Sequence, residues 1–549
     1  MPEYLTPGVY VEEFEIGARP IEGVSTSTAG FLGLTERGPT NRAIPVTSLL
    51  QYMRIFGGYI KVSYLTYAVE NFFTNGGQRC YIGRIVRLDE NGNVSARAAE
   101  LTVGADPTQL QFKAVGEGTW GNQVAIRIED ASNGPDEFKL TVAYWSKNFP
   151  SNDDFKIPAP PPSKLEQNKK IGQLLEKASK IEIFDNLSGD PESSDYYIKQ
   201  LSDPLNDLSY LIMIDKDSKG RPPNSENYFQ ALINGRNAQP DPTLPDPVPL
   251  PAWDRGDFLG KPDAEPGNKR GLTAFNDVDE ISIVYAPDAH ILSDVGRKAL
   301  FDDILSQCEN LKDRFAIIDA IENEPNIDNL KITSITRISK YGAIYYPWIR
   351  VIDPLTEQLK YIPPGGAIAG IYARSDNERG VHKAPANEIV RGANDLKFNL
   401  TKAEQGIVNP RGINVIRSFN GRGILVWGAR TSTTDALWKY INVRRLFIYI
   451  EKSIEKGTQW VVFEPNNEKL WARVVATITQ FLTGVWRDGA LMGTKPEEAF
   501  FVKCDRSTMT QDDIDNGRLI CVIGIAPVKP AEFVIFRIAQ WAGGSAATE

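Results

Sequence analysis

Two short β-prone runs, one towards each end, constrain the fold more than any other feature of this sequence. Pro7-Gly8-Val9-Tyr10-Val11-Glu12-Glu13 lies between a turn signal and a charged stretch. Phe533-Val534-Ile535-Phe536-Arg537-Ile538 is cut off from the apolar run before it by Pro527 and Pro530. A lone strand cannot bury its side chains or pair its backbone, so each run needs a sheet edge supplied from elsewhere. Residues 1–20 and 527–549 therefore read as extended arms. Val9, Tyr10 and Val11, with Phe533, Ile535 and Phe536, are the residues expected to be donated to a neighbour's sheet. Gly8, Gly17, Gly23, Pro527 and Pro530 are the candidate hinges that let an arm keep its partner while the body moves.

Between the arms, 549 residues suffice for roughly three or four structural units. Residues 21–100 alternate strand, helix and strand, with buried-strand runs at Ala29–Leu34 and Cys80–Val86. Residues 101–270 turn to β-type alternation, clearest at Val124–Ile128 and Phe138–Val142. That region is interrupted by proline-rich segments, the longer carrying Pro240, Pro242, Pro245, Pro247, Pro249 and Pro251. It reads as an inserted, mainly β, outward-facing region. Residues 271–430 resume βαβ alternation, with strands at Ile281–Tyr285 and Phe315–Ile318 around a helix near Ser293–Leu311. In 431–526, apolar residues recur at helical spacing up to Gly457, read as a C′ glycine. A second helix starts at Asn466 or Asn467. The whole is an α/β and α+β multidomain chain with a discontinuous core.

Composition supplies little for catalysis. There are 2 histidines, His290 and His382, and 4 cysteines, Cys80, Cys308, Cys504 and Cys521, far apart and without a CxxC pair. Isolated thiols of this kind read as reduced, packed residues, and no metal or cofactor is expected. Gly116-Glu117-Gly118-Thr119-Trp120-Gly121 fits GxGxxG, but a β-alternating run follows where a dinucleotide fold needs a helix. Asp215 to Glu226 approximates a calcium loop, with Lys219 at a ligand position and Pro222-Pro223 after the glycine; an ordinary acidic turn is the better account. No GxSxG elbow surrounds a serine, and neither histidine has triad-like neighbours. A net charge of −9 argues against direct nucleic-acid binding. No run reaches membrane-spanning length and no leader pattern precedes the first arm, so synthesis in the cytoplasm without membrane insertion is expected.

Several stretches resemble the contractile tail sheath family of bacteriophages and phage-derived contractile injection systems. They include the Tyr4–Glu13 arm, Phe72-Phe73-Thr74-Asn75-Gly76-Gly77 and Gly118-Thr119-Trp120-Gly121-Asn122. More specific are Pro363–Arg374, Arg379–Asn387, Asn409-Pro410-Arg411-Gly412-Ile413-Asn414, Val426–Thr431 and Phe463-Glu464-Pro465-Asn466. The match is weak over 150–270, and His382 stands where many relatives carry an aromatic residue.

The resemblance implies a structural subunit of a homo-oligomer. Such subunits stack as hexameric rings around an inner tube protein, between a baseplate and terminal cap proteins, and contract to drive the tube through an envelope. It implies a subtilisin-like α/β fold over 271–430 without proteolysis, and an inner sheath domain over 431–526. Arg444 and Arg445, on an otherwise apolar helix, are the candidate tube-facing pair. The particle is expected to be a phage tail or tail-like device, cytoplasmic or released. A static tube or surface-lattice scaffold, and a subtilisin-like hydrolase, are the competing readings.

Overall fold

The computed structural model describes residues 20–88, 95–105, 109–202, 208–215, 220–237, 253–261, 264 and 267–537. Gly8, Val9, Tyr10, Val11 and Gly17, and the proline-rich 238–252, lie outside the described residues. The chain divides into two compact units: one holds Ser25–Glu378 and Pro385–Lys439, the other the residues up to Val24, Arg379–Ala384 and those from Tyr440 onward.

The larger unit is organised by a nine-stranded sheet. Its strands run in the order Glu388–Ile389, Gly423–Val426, Ile413–Phe419, Gly342–Tyr346, Phe315–Asp319, Ile283–Tyr285, Ala29–Gly33, Cys80–Arg84 and Ile44–Val46. From Ile413–Phe419 to Cys80–Arg84 every pairing is parallel, and only the outer strands run antiparallel. Segments 21–100 and 271–430 thus supply one sheet. Its central strands, such as Phe315–Asp319 and Gly342–Tyr346, are buried along their whole length, which is why they read as continuous apolar runs.

Helices cover this sheet where the sequence offers a cap or a small-residue face. Ser293 caps Asp294–Leu311, its hydroxyl accepting from the Gly296 amide at 3.2 Å. The helix Gly365–Arg379 is buried from Gly365 to Ser375. It lies against Leu65–Thr74 so closely that a Cβ on Gly366 would stand 2.5 Å from the Ala68 backbone. The Pro-Gly-Gly-Ala-Ile-Ala-Gly run is therefore a packing device between two helices. The neighbouring Asn75 and Arg374 close the contact: Arg374 donates to the Asn75 carbonyl at 3.0 Å and the Ile389 carbonyl at 2.9 Å.

The inserted region forms two antiparallel sheets. One orders Gln230–Ala231, Val124–Ala131, Gly134–Tyr144 and Lys180–Leu187, the other Glu100–Val103, Leu110–Ala114 and Ile212–Ile214. They bury a shared core that includes Phe112, Trp120, Ile126, Phe138 and Leu211. The region also holds a helix, Lys164–Glu176, started by a Ser163/Glu166 capping box. Only Leu174 of that helix is buried, so hydrophobic periodicity could not reveal it.

The GxGxxG run is a turn leading into a strand, as its context predicts. Thr119–Gln123 is a single 3-10 turn and Val124–Ala131 begins at once. Gly116 and Gly118 hold φ of +95° and +129°, values open to glycine alone among common residues. Arg84 ties the turn down by donating to the Gly38 carbonyl at 2.6 Å and the Glu117 carbonyl at 2.8 Å.

Candidate functional site

The C-terminal arm belongs to the smaller unit, so the candidate interaction site is built there. Two amphipathic helices, Ile441–Gly457 and Glu468–Arg487, pack through Leu446, Ile450, Leu470, Val474 and Ile478. Asn467 is the cap of the second, accepting from the Lys469 and Leu470 amides at 3.0 and 3.1 Å. Asn466 instead accepts from the Trp471 indole at 2.7 Å.

The first helix runs through Gly457 to a Thr458 cap, which corrects the reading of Gly457 as a C′ residue. Gly457 is small for another reason: a Cβ there would meet Ile21 at 2.6 Å. The first described residues are laid along this helix. Gly23 faces the Tyr449 hydroxyl too closely for any side chain, and the Val24 amide donates to Ser453 at 3.1 Å. Gly23 is thus clamped in this conformation.

Beyond the helices, Phe500–Lys503 and Val522–Ile525 form an antiparallel hairpin that, among the described residues, is a sheet of only two strands. Each strand has an outer edge with no strand beside it among those residues, and Phe501 and Val522 are exposed there. The chain then passes through the candidate hinges. Pro527 is bracketed by backbone bonds on both sides: the Met492 amide donates to the Ala526 carbonyl at 2.8 Å and the Val528 amide to the Ala490 carbonyl at 3.1 Å. A proline held this way does not swing, which corrects its reading as a hinge. Pro530 accepts from the Glu532 amide at 3.0 Å, and the Tyr440 hydroxyl donates to Glu532 at 2.9 Å. Among the described residues, hydrogen-bonded tethering ends at Glu532.

The next four residues are the candidate donated strand. Phe533, Ile535 and Phe536 are 71%, 79% and 84% exposed and lie in no strand. Four large apolar side chains in succession facing water are uncommon on a finished surface.

Arg444 and Arg445 do not form the displayed patch that their spacing suggested. They are only 2% and 3% exposed, and Arg444 reaches Glu451 at 2.9 Å. Helix periodicity places both towards the packed side, their long stems making them compatible with burial. As for triad chemistry, the Ser63 hydroxyl donates directly to Asp288 at 2.7 Å. His290 lies edge-on to Trp348 with a centroid distance of 4.8 Å, and its Nε2 has no hydrogen-bond partner. Burial lowers His290 to about 3, so it stays neutral. Asp215, first residue of the calcium-like loop, pairs with Lys113 at 2.7 Å, and residues 216–219 lie outside the described residues. No helix among the described residues is long and apolar enough to cross a membrane.

Comparison with known proteins places this architecture. Residues 274–432 match the family model of the phage tail sheath protein central domain, and 433–540 that of the phage tail sheath C-terminal domain. The tail sheath protein of Vibrio phage KVP40 is 27% identical over 221 residues, covering 40% of this chain and 31% of that relative; the chain thus spans about a third of its length. Among solved structures, the anti-feeding prophage helical sheath in its contracted state aligns with a TM-score of 0.56 at 24% identity, over 98% of this chain and 99% of that one. The sheath complex of the extracellular contractile injection system PVC, also contracted, aligns with a TM-score of 0.54 at 22% identity, over 99% of both. The consecutive family matches cover the larger part of the nine-stranded sheet and the whole described C-terminal unit from 440 on, and over residues 274–540 the chain carries the central and C-terminal domains of the phage tail sheath protein family.

Proposed function

We propose that this chain is the sheath subunit of a contractile tail or tail-like particle. It polymerises as stacked hexameric rings around an inner tube, between a baseplate and a cap, and contracts to drive the tube through a target envelope. The observation that carries this reading is the pairing of two incomplete elements in one unit. Among the described residues, a two-stranded hairpin has open edges, and an apolar segment, Phe533–Phe536, faces water just beyond the last tether at Glu532. Each is what the other lacks, and exchange between copies satisfies both.

A donated strand is held by backbone hydrogen bonds, which link bodies without fixing their angle. The free chain after Glu532 then supplies the swivel, and the N-terminal arm through Val9, Tyr10 and Val11 supplies the second link. The subtilisin-like reading of the parallel-sheet unit belongs to this proposal as a scaffold without catalysis. The similarity of the fold to two sheaths in their contracted state supports the contractile over the static version.

Truncation after Glu532 tests the idea. The shortened chain is expected to be folded and monomeric, with the same thermal midpoint as the full chain, and to give no cylinders by negative-stain microscopy. Normal cylinders from that truncation would end the reading of Phe533–Phe536 as the donated strand.

A further inference from the structure

Cys504 and Cys521 read as unrelated thiols along the sequence, but the hairpin makes them neighbours. Its register sets Phe500 opposite Ile525 and Lys503 opposite Val522, so the next pair outward is Cys504 and Cys521. The Ala526 amide donates to the Ala499 carbonyl at 2.8 Å, which fixes the alternation of the ladder. Counting along it, Cys504 and Cys521 occupy a non-hydrogen-bonded pair, where facing side chains come closest. Typical Cα separation there is about 4.5 Å, inside the roughly 4.4–6.8 Å that a disulfide spans. Neither thiol is in a disulfide.

The surroundings are ready for a bond. The intervening loop is already closed by Thr508, whose hydroxyl donates to the Ile520 carbonyl at 2.9 Å, and by the Ser507 amide on Asp505 at 2.6 Å. A groove of about 410 Å³ beside Trp471, Arg506 and Ser507 reaches Cys504, and Cys521 is half-buried. Cys80 and Cys308 differ on both counts, being wholly buried on the other unit.

We propose that Cys504 and Cys521 are an oxidation site that closes to a cross-strand disulfide and staples the hairpin reversibly. The oxidant is a low-molecular-weight disulfide of the glutathione class. The Cys521 thiolate attacks one of its sulfurs, forming a mixed disulfide and expelling one thiolate. Cys504 then attacks the protein sulfur of that mixed disulfide, forming the Cys504–Cys521 bond and expelling the second. Two electrons pass from the cysteine pair to the oxidant, and the two cysteine protons go to the released thiolates. Burial and the adjacent sulfur push Cys504 up to about 11, and Cys504 is buried whereas Cys521 is only half-buried and open to a small disulfide. Cys521 is therefore the attacking sulfur and Cys504 the resolving one.

The test uses the full-length chain, reduced, then incubated with oxidised glutathione and alkylated under denaturing conditions. Alkylatable thiols are expected to fall from 4 by one pair, with a linked Cys504–Cys521 peptide in the digest and a thermal midpoint raised by several degrees. Reductant should reverse all three changes. Cys504→Ser should leave Cys521 carrying glutathione with no rise in midpoint. Should that buried variant not fold, Cys521→Ser at the less buried position gives the converse readout, an unlinked Cys504. Retention of all thiols, a mixed disulfide at Cys521 in the unaltered chain that never resolves, or a link between two chains would each overturn the proposal.

Discussion

Asp319 shows what single residues in the large sheet cost and contribute. It ends the strand Phe315–Asp319, fully buried, and accepts from the Tyr285 hydroxyl at 2.5 Å and the Gly365 amide at 2.9 Å. Burial outweighs those bonds and raises its carboxyl to about 7, and burial likewise raises Asp288 to about 6. The folded chain therefore keeps protons that the unfolded chain has released between the ordinary carboxylate range and those values. Under linkage, stability from these groups is present at low pH and is lost as pH rises through that window. Asp319→Asn keeps an acceptor for Gly365, replaces the acceptor for Tyr285 by an amide donor that the tyrosine hydroxyl oxygen can accept on turning, and cannot ionise. Urea unfolding at about pH 5 and about pH 8 should show the loss of stability between them reduced by at least about 1 kcal/mol in the variant. A residual slope remains from Asp288. An unchanged difference would mean that Asp319 does not hold its proton.

At the scale of elements, the stretches that made the family recognisable prove to be packing devices. Gly366 and Gly370 let Gly365–Arg379 approach Leu65–Thr74 to backbone contact, a Cβ on Gly370 falling near the Phe72 carbonyl. Asn414, wholly buried, donates to the Ile344 and Arg430 carbonyls at 3.1 and 2.7 Å and so braces Ile413–Phe419 against the Val426–Thr431 turn. Gly366→Val should cost about 3 kcal/mol or more, because backbone cannot move aside as a side chain does. Chemical denaturation checks it, and a loss below about 1 kcal/mol would show that the helices can separate without penalty. The parallel strands were legible because strands buried on both faces read as unbroken apolar runs. The helix Lys164–Glu176 was not, since one buried leucine makes no period. Nor was the burial of Arg444 and Arg445, whose charge argued for a surface. The Cys504–Cys521 contact needed a hairpin register, and no spacing of two lone cysteines encodes that.

For the whole molecule, folding and assembly are carried by different residues, and this separation is testable. The smaller unit buries its own core without Phe533, Ile535 or Phe536, which stand in water at the end of the described chain. Their apolar character contributes nothing to the isolated subunit and, if anything, costs it solubility. In a donated strand, alternate side chains enter the partner's interior, so at least one of Phe533 and Ile535 or Phe536 becomes buried on assembly. Replacing Phe533, Ile535 and Phe536 together by Glu should therefore leave the stability of the monomer within about 0.5 kcal/mol of the parent, as expected for exposed positions. Assembly should fail, because each buried carboxylate would have to enter an apolar pocket without a partner. Size-exclusion chromatography and microscopy of the same preparation give both readouts. A destabilised monomer would show that the tail belongs to the subunit's own fold. Cylinders of normal length would show that the subunits are joined elsewhere, and with the monomer intact that result would move the search for the joining strand to the N-terminal arm.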